Sequence, residues 1–199
     1  MDRLYKKALF LEYFTVGYNI LEAIASILFG AMANSIALIG FGLDSIVESL
    51  SGMVLVWRLQ KHGKISLEQE NRIEKRAQTF VAVTFFLLAA YVLYESIDKL
   101  VGQEVPAPSL PGIILAIVSI IVMPILMIQK YRVGKSIGSK ALIADSKETL
   151  ACAFLSVALL IGLGMNYTFG FWQADPIVGI IIVIFLVREG IETWRDSRE

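Results

Sequence analysis

Long apolar stretches are the feature that most constrains this chain. Of its 199 residues, 56% are hydrophobic, and they concentrate in segments long enough to cross a membrane. About 18 or more largely apolar residues can cross a bilayer as an α-helix. We therefore predict one domain, residues 1–199, folded as an all-α bundle of six transmembrane helices. The predicted spans are approximately 8–31, 36–57, 78–100, 111–130, 141–165 and 175–194.

Lysine and arginine are unevenly distributed among the predicted loops, and this bias orients the spans. They concentrate at the N-terminus, in loops 58–76 and 130–140, and after residue 187. The other three loops contain neither residue, although Lys99 lies close to one of them. We predict that both termini are cytoplasmic and that the chain is a multi-pass protein of the cell membrane. No small-residue cleavage site follows the basic start, so we expect a retained first span.

Charge and cysteine content exclude several classes of protein. The formal net charge is zero, so no nucleic acid partner is predicted. The single cysteine, Cys152, excludes an internal disulfide and a cysteine-rich metal finger. We predict neither an enzyme nor a resident cofactor.

The sequence contains an internal echo at an offset of 104 residues. Residues 35–39 read Ser-Ile-Ala-Leu-Ile, and residues 139–143 read Ser-Lys-Ala-Leu-Ile. A second echo joins residues 95–98 of span three to residues 189–192 of span six. Spans that correspond in this way would run in opposite directions. We therefore predict a three-plus-three inverted repeat, which is typical of secondary transporters that bind substrate near the midplane.

The repeat also aligns two polar pairs. Asp44 and Glu48 lie four residues apart near the middle of span two, and Glu148 and Cys152 repeat that spacing in span five. Ionisable groups at this depth cost at least about 2.5–3.5 kcal/mol each, so a functional reason is expected. If the two helices face each other, three carboxylates and one thiol supply the four ligands of a tetrahedral divalent site. Protons held by these groups would be displaced by the cation, as an antiporter requires.

Each of these residues also has a structural explanation. Asp44 and Glu48 could be polar links between helices, and Glu148 could be neutralised by Lys147. Cys152 could be a small buried hydrophobe, which is the usual role of a lone cysteine.

Four further polar residues have more than one possible role or no evident one. Asp145, three residues before Glu148, could receive the ion on its way in, stabilise the start of the helix or pair with Lys147. Asn19 and Glu22 lie mid-span in span one and could support the site, although Glu22 has no evident partner. His62 lies in a charged loop, where we expect it to be solvated.

Several stretches resemble the transmembrane domain of the cation diffusion facilitator family: residues 35–45, 94–97, 142–145 and 174–179. In that family, spans two and five each give two ligands to a transport site that commonly carries zinc. The resemblance implies homodimers, alternating access and proton exchange. It assigns the metal ligands to Asp44, Glu48, Glu148 and Cys152.

Three departures from the family pattern qualify this assignment. Spans two and five contain no histidine, the loop 58–76 has no histidine-rich stretch, and the sequence ends soon after span six. We therefore expect no cytoplasmic metal-binding domain. Zinc is the first choice because thiolate favours softer ions, whereas carboxylates alone would suit manganese or magnesium. Iron, cobalt and cadmium stay open.

The predicted function is divalent metal efflux in exchange for protons. One alternative is a non-transporting membrane metal sensor or assembly partner with the same fold. Another is a carrier of an organic or monovalent cation, which four convergent anionic ligands disfavour.

Overall fold

The chain forms six α-helices in a computed structural model that describes residues 2–61 and 66–198. Within these ranges there is no strand, so the predicted all-α class is confirmed. His62 lies outside the described residues. The helices are α1 (Asp2–Ala33), α2 (Ile36–Lys61), α3 (Leu67–Gly102), α4 (Leu110–Ile137), α5 (Lys140–Phe169) and α6 (Ala174–Asp196).

The helices extend beyond the predicted spans. Most of the polar segment 58–76 is helical, because α2 continues to Lys61 and α3 begins at Leu67. Polar residues end a hydropathy signal without ending a helix, since charged side chains are compatible with helical backbone in water. The apolar pattern therefore located the spans but underestimated helix length.

Five segments of the described chain are long and apolar enough to cross a membrane. The sixth helix, α6, carries Arg188, Glu189 and Glu192 within its second half, which lowers its apolar character. Its 23 residues still extend about 34 Å at 1.5 Å per residue, enough for a hydrocarbon core of about 30 Å. It also pairs extensively with α3. The protein is a six-helix multi-pass membrane bundle. The five other candidate spans are Arg3–Ala33, Ile36–Lys61, Thr79–Gly102, Leu110–Ile137 and Ala141–Phe169.

Helix α2 lies at the centre of the bundle. The most extensive pairings are α1 with α2, α4 with α5, and α3 with α6, and α2 additionally contacts α3, α5 and α6. In the most apolar part of α2, 61% of residues are buried, against 28–44% in the other candidate spans. The polar side chains in this part of α2 are directed toward neighbouring helices: Asp44, Ser45, Glu48 and Ser49 are all buried.

The α1–α2 and α4–α5 hairpins share the same turn, at the offset of 104 residues. The Ser35 N–H donates to Gly30 O (2.9 Å), and the Ser139 N–H donates to Gly134 O (3.0 Å). Each serine hydroxyl then accepts from the backbone N–H three residues later, as N-cap residues do. Because successive spans alternate in direction, the two hairpins run oppositely through the membrane. This agreement supports the predicted inverted repeat.

A glycine brings the two helices of each hairpin into close contact. A Cβ atom on Gly30 would lie 2.8 Å from Cγ1 and 2.9 Å from the backbone nitrogen of Ile39. A Cβ atom on Gly134 would lie 3.0 Å and 3.2 Å from the same two atoms of Ile143. The repeat therefore preserves a backbone approach that was not evident from residues 35–39 and 139–143 alone.

Asp175 at the start of α6 caps the start of α2. Its carboxylate accepts a hydrogen bond from the Ile36 N–H (2.8 Å) and another from the Ser35 hydroxyl. An anion at a helix N-terminus is favoured by the exposed N–H groups and the helix dipole. Nearby, the Lys99 ammonium donates to the carbonyl and side-chain oxygens of Asn34, at 2.6 and 2.5 Å. These contacts join α2, α3 and α6 at one end of the bundle.

Candidate metal-transport site

The four predicted ligands line one small cavity. Its volume is about 20 Å³, and Asp44, Glu48, Glu148 and Cys152 all contribute to its wall. A cavity needs roughly 10–15 Å³ on this measure to hold one water molecule. The space therefore accommodates one water or one small ion. Because α2 and α5 are in contact, the two polar pairs of the repeat face a shared interior space.

The cavity lies well inside the protein. The exposed fractions of Asp44, Glu48 and Cys152 are 8%, 6% and 1%. Neither carboxylate oxygen of Glu48 has a hydrogen-bond partner among the described residues. Cys152 is a free thiol. A buried carboxylate without a partner is costly in a low-dielectric interior, so Glu48 is a strong candidate for binding a cation.

Glu148 is held by the opposite helix. The Ser51 hydroxyl on α2 donates to Glu148 Oε2 over 3.1 Å. This bond orients the carboxylate across the α2–α5 interface. Ser51 was not among the sequence candidates, because a serine in a transmembrane helix gives no distinctive signal.

The donors share a cavity but do not form a complete coordination sphere. Over residues 2–61 and 66–198, no group of three or more His, Cys, Asp or Glu side chains is arranged to hold a metal ion. Binding one ion to several of these donors would require their side chains, or α2 and α5, to move closer together.

Helix α6 contributes an acidic residue that the predicted ligand set omits. Glu189 lines the same 20 Å³ cavity as the four predicted ligands, and Phe185, one turn earlier, lines it too. The sequence offered a partial signal, since Glu189 appears in the echo between spans three and six. This similarity indicates the repeat, and nothing in it indicates that α6 faces α2.

A larger cleft of about 430 Å³ lies between α5 and α6. Acidic and basic side chains both line it, including Lys147, Glu148, Arg188, Glu189 and Glu192. The cleft lies toward the start of α5 and the end of α6, the side that the loop charges predict to be cytoplasmic.

Glu22 has partners that the sequence did not indicate. It accepts from the Tyr18 hydroxyl (3.0 Å) and from the Ser45 hydroxyl (2.9 Å). Ser45 is adjacent to Asp44, so Glu22 joins α1 to the α2 segment that carries the site. Asn19 is fully buried, and its amide atoms have no hydrogen-bond partner within the described chain. Neither residue lines the 20 Å³ cavity.

Asp145 is bound by a buried lysine. The Lys130 ammonium lies 2.5 Å from Asp145 Oδ2 and 3.4 Å from Glu12 Oε1. It also donates to the Thr149 hydroxyl over 3.3 Å. Asp145 and Glu148 both line a third cavity, of about 70 Å³. A role for Asp145 in receiving the ion stays a prediction. Its ion pair is with Lys130, whereas Lys147, the partner considered from the sequence, is exposed.

The cluster around Lys130 was not predicted. Glu12 and Lys130 fell near the predicted ends of spans one and four, where charged residues are ordinary. Both are fully buried because α1, α4 and α5 pack around them. Their pairing depends on helix arrangement and could not be read from one segment alone.

Comparison with known proteins identifies the family. Residues 13–199 match the cation efflux transmembrane domain. Transmembrane protein 163 of Xenopus laevis is 25% identical over 96% of the chain, and an uncharacterised transporter of Methanocaldococcus jannaschii is 26% identical over 85%. A probable cation efflux system protein of Mycobacterium tuberculosis is 29% identical over 81%.

These relatives are longer than the chain. The matched part covers 67%, 61% and 50% of their respective lengths. The family match itself covers nearly all of the chain. The chain therefore belongs to the cation efflux family, whose members are membrane transporters and not enzymes.

Proposed function

We propose that this protein transports a divalent metal ion through the cavity between α2 and α5. The observation that carries the proposal is that Asp44, Glu48, Glu148 and Cys152 all line one ion-sized space. Glu48 adds weight, because its two oxygens are buried without a partner among the described residues. Family membership supports cation transport in general, and the donor set points to a divalent cargo.

Proton exchange follows from the chemistry of these donors. Carboxylates and thiols must be deprotonated to bind a metal, so metal binding releases protons. Uncompensated negative charges inside a membrane are strongly disfavoured. The donors therefore hold protons when they hold no metal. Alternating exposure of the cavity to the two sides then couples metal export to proton import.

The α5–α6 cleft provides the route by which the ion reaches the site. The cleft and the 20 Å³ cavity share Glu148 and Glu189 in their walls. If both termini are cytoplasmic, as the loop charges predict, this route opens toward the cytoplasm. We propose efflux across the cell membrane as the direction of transport. The family resemblance adds homodimer formation to the proposal.

Zinc is the proposed principal cargo. The site offers a thiol beside carboxylates, and thiolate favours softer ions such as zinc and cadmium. The number of oxygen donors also suits manganese, iron or cobalt, so the relative affinities depend on which donors engage the ion.

Calorimetric titration of the purified protein with Zn²⁺ tests the site. We expect about one tight site per chain, which Asp44→Ala removes. Asp98→Ala, at an exposed position of α3, is the control and should leave binding unchanged. Tight sites that survive Asp44→Ala would place the binding chemistry elsewhere. Stoichiometric binding without transport would instead favour a metal sensor or assembly partner.

A further inference from the structure

We infer that Glu189 of α6 is a fifth donor of the transport site. An ion held between α2 and α5 would then also be bound from α6. This inference rests on the proposed function and extends the ligand set from two helices to three.

The first observation is the position of Glu189 between two cavities. Four residues line both the 20 Å³ cavity and the α5–α6 cleft: Glu148, Ala151, Phe185 and Glu189. Of these, only Glu148 and Glu189 carry metal-binding groups. They stand on the adjacent helices α5 and α6, where the cleft and the cavity adjoin. Glu189 is therefore placed to contact the ion both on the way in and at the site.

The second observation is the condition of Glu48 across the cavity. It is more than nine-tenths buried and lines the same cavity as Glu189. Its oxygens have no hydrogen-bond partner among the described residues. A buried carboxylate of this kind requires a cation or a proton. Glu48 is thus a separate observation that favours a positively charged occupant, a metal ion or a proton, in the space that Glu189 borders.

Packing of α6 on α3 fixes the face of the bundle on which Glu189 lies. A Cβ atom on the adjacent Gly190 would lie 3.1 Å from both Phe85 Cβ and Phe86 Cε1. This face of α6 is therefore held tightly against α3. Phe185 and Glu189, four residues apart, share another face of α6, which borders the cavity. Rotation that removed Glu189 from the cavity would break the contact at Gly190.

A fifth donor changes which metals the site should accept. Zinc usually binds four ligands in tetrahedral geometry, whereas manganese favours a larger set of oxygen ligands. Glu189 raises the number of carboxylates bordering the cavity from three to four. The site should therefore bind Mn²⁺ as well as Zn²⁺, with Glu189 more important for Mn²⁺.

The chain provides a matched control in Glu95. It corresponds to Glu189 in the echo between spans three and six, and it is half-buried on α3. It does not line the cavity or the cleft. Glu95→Gln therefore tests the general effect of removing a carboxylate from this pair of helices.

Titration of the full-length protein with Mn²⁺ and Zn²⁺ tests the inference. We expect Glu189→Gln to weaken Mn²⁺ binding about tenfold or more and Zn²⁺ binding less than threefold, while Glu95→Gln changes neither. Glu189→Asp keeps a carboxylate, so it should bind Mn²⁺ more tightly than Glu189→Gln does. If Glu189→Gln does not fold, Glu189→Asp is titrated in its place.

Three results would overturn the inference: absence of Mn²⁺ binding to the native protein, an unchanged ratio of the two dissociation constants in the Glu189 variants, or an equal change in Glu95→Gln. If Asp44→Ala still removes Zn²⁺ binding in those cases, the α2–α5 site stands without Glu189. If it does not, the proposed function itself fails.

Discussion

The ammonium of Lys130 lies 2.5 Å from Oδ2 of Asp145, inside the membrane bundle and away from lipid. Lys130 is fully buried, and Asp145 is 5% exposed. Glu12 on α1 approaches the same ammonium at 3.4 Å. One cation thus connects α1 and α4 to α5, the helix that also supplies Glu148 and Cys152.

Removing Lys130 should strongly destabilise the protein. Breaking a buried ion pair from one side typically costs about 3–5 kcal/mol, because the remaining charge is buried without compensation. We predict a loss of this order in the unfolding free energy of Lys130→Met, measured by reversible denaturation in detergent.

Two further variants make this test specific. Lys130→Met combined with Asp145→Asn should recover part of the loss. Lys135→Met, at an exposed position of the same helix, should change stability by less than about 0.5 kcal/mol. If Lys130→Met were as stable as Lys135→Met, the cluster would have no structural role.

The close approach of α1 and α2 gives a second prediction. Gly30→Ala places a Cβ atom 2.8 Å from Ile39 Cγ1 and 2.9 Å from its backbone nitrogen. The backbone atom cannot move without shifting α2, so overpacking should cost about 1–3 kcal/mol.

Gly17→Ala is the control in the same helix. Apart from the nearby backbone of α1 itself, no atom lies within 4 Å of its added Cβ. Alanine is the better helix former, so this variant should be neutral or more stable by up to about 1 kcal/mol. Equal melting temperatures for the two variants would show that the hairpin does not depend on this contact.

The number of helices and their positions were predictable because the apolar runs are long and clearly separated. Helix ends were less predictable, as α3 shows by beginning at Leu67, well before its apolar run. The repeat correctly indicated similar hairpins, since a shared Ser-X-Ala-Leu-Ile segment specifies the same N-cap. The approach at Gly30 and Gly134 required the three-dimensional structure.

The candidate site, too, was only partly predictable from the sequence. A four-residue spacing on one helix placed Asp44 beside Glu48, and the repeat placed Glu148 and Cys152 opposite them. Ligand roles for all four stay predictions. The presence of Glu189 at the cavity and the pairing of Lys130 with Asp145 depend on how distant helices pack, which spacing within one helix does not reveal.

Cys152 gives a prediction about metal softness. Cys152→Ser replaces a soft donor by a weak oxygen donor of similar size, so zinc and cadmium transport should fall sharply and manganese transport should fall little. Cys152→Asp should restore binding and shift the preference toward harder ions. Zinc should also protect the native thiol from a maleimide reagent. If Cys152 only fills space, Cys152→Ala will be nearly silent in transport and zinc will not alter labelling.

The dependence of metal affinity on pH follows from the donors. Protons compete with the ion for the carboxylates and the thiol, so affinity should fall as pH falls. Titrations of the native protein between pH 8 and about pH 6 should show progressively larger dissociation constants. Asp98→Ala should show the same pH profile, because Asp98 lies away from the cavity. An affinity that is constant with pH would contradict proton exchange at this site.

Metal flux into proteoliposomes, driven by an imposed proton gradient, tests the central claim most directly. For native protein we predict zinc movement that accelerates when protons can flow in the opposite direction. Asp44→Asn and Glu48→Gln should each abolish it, while Asp98→Asn transports normally. Zinc flux that persists in the Asp44 and Glu48 variants, or that is absent from the native protein, would contradict transport through the α2–α5 cavity.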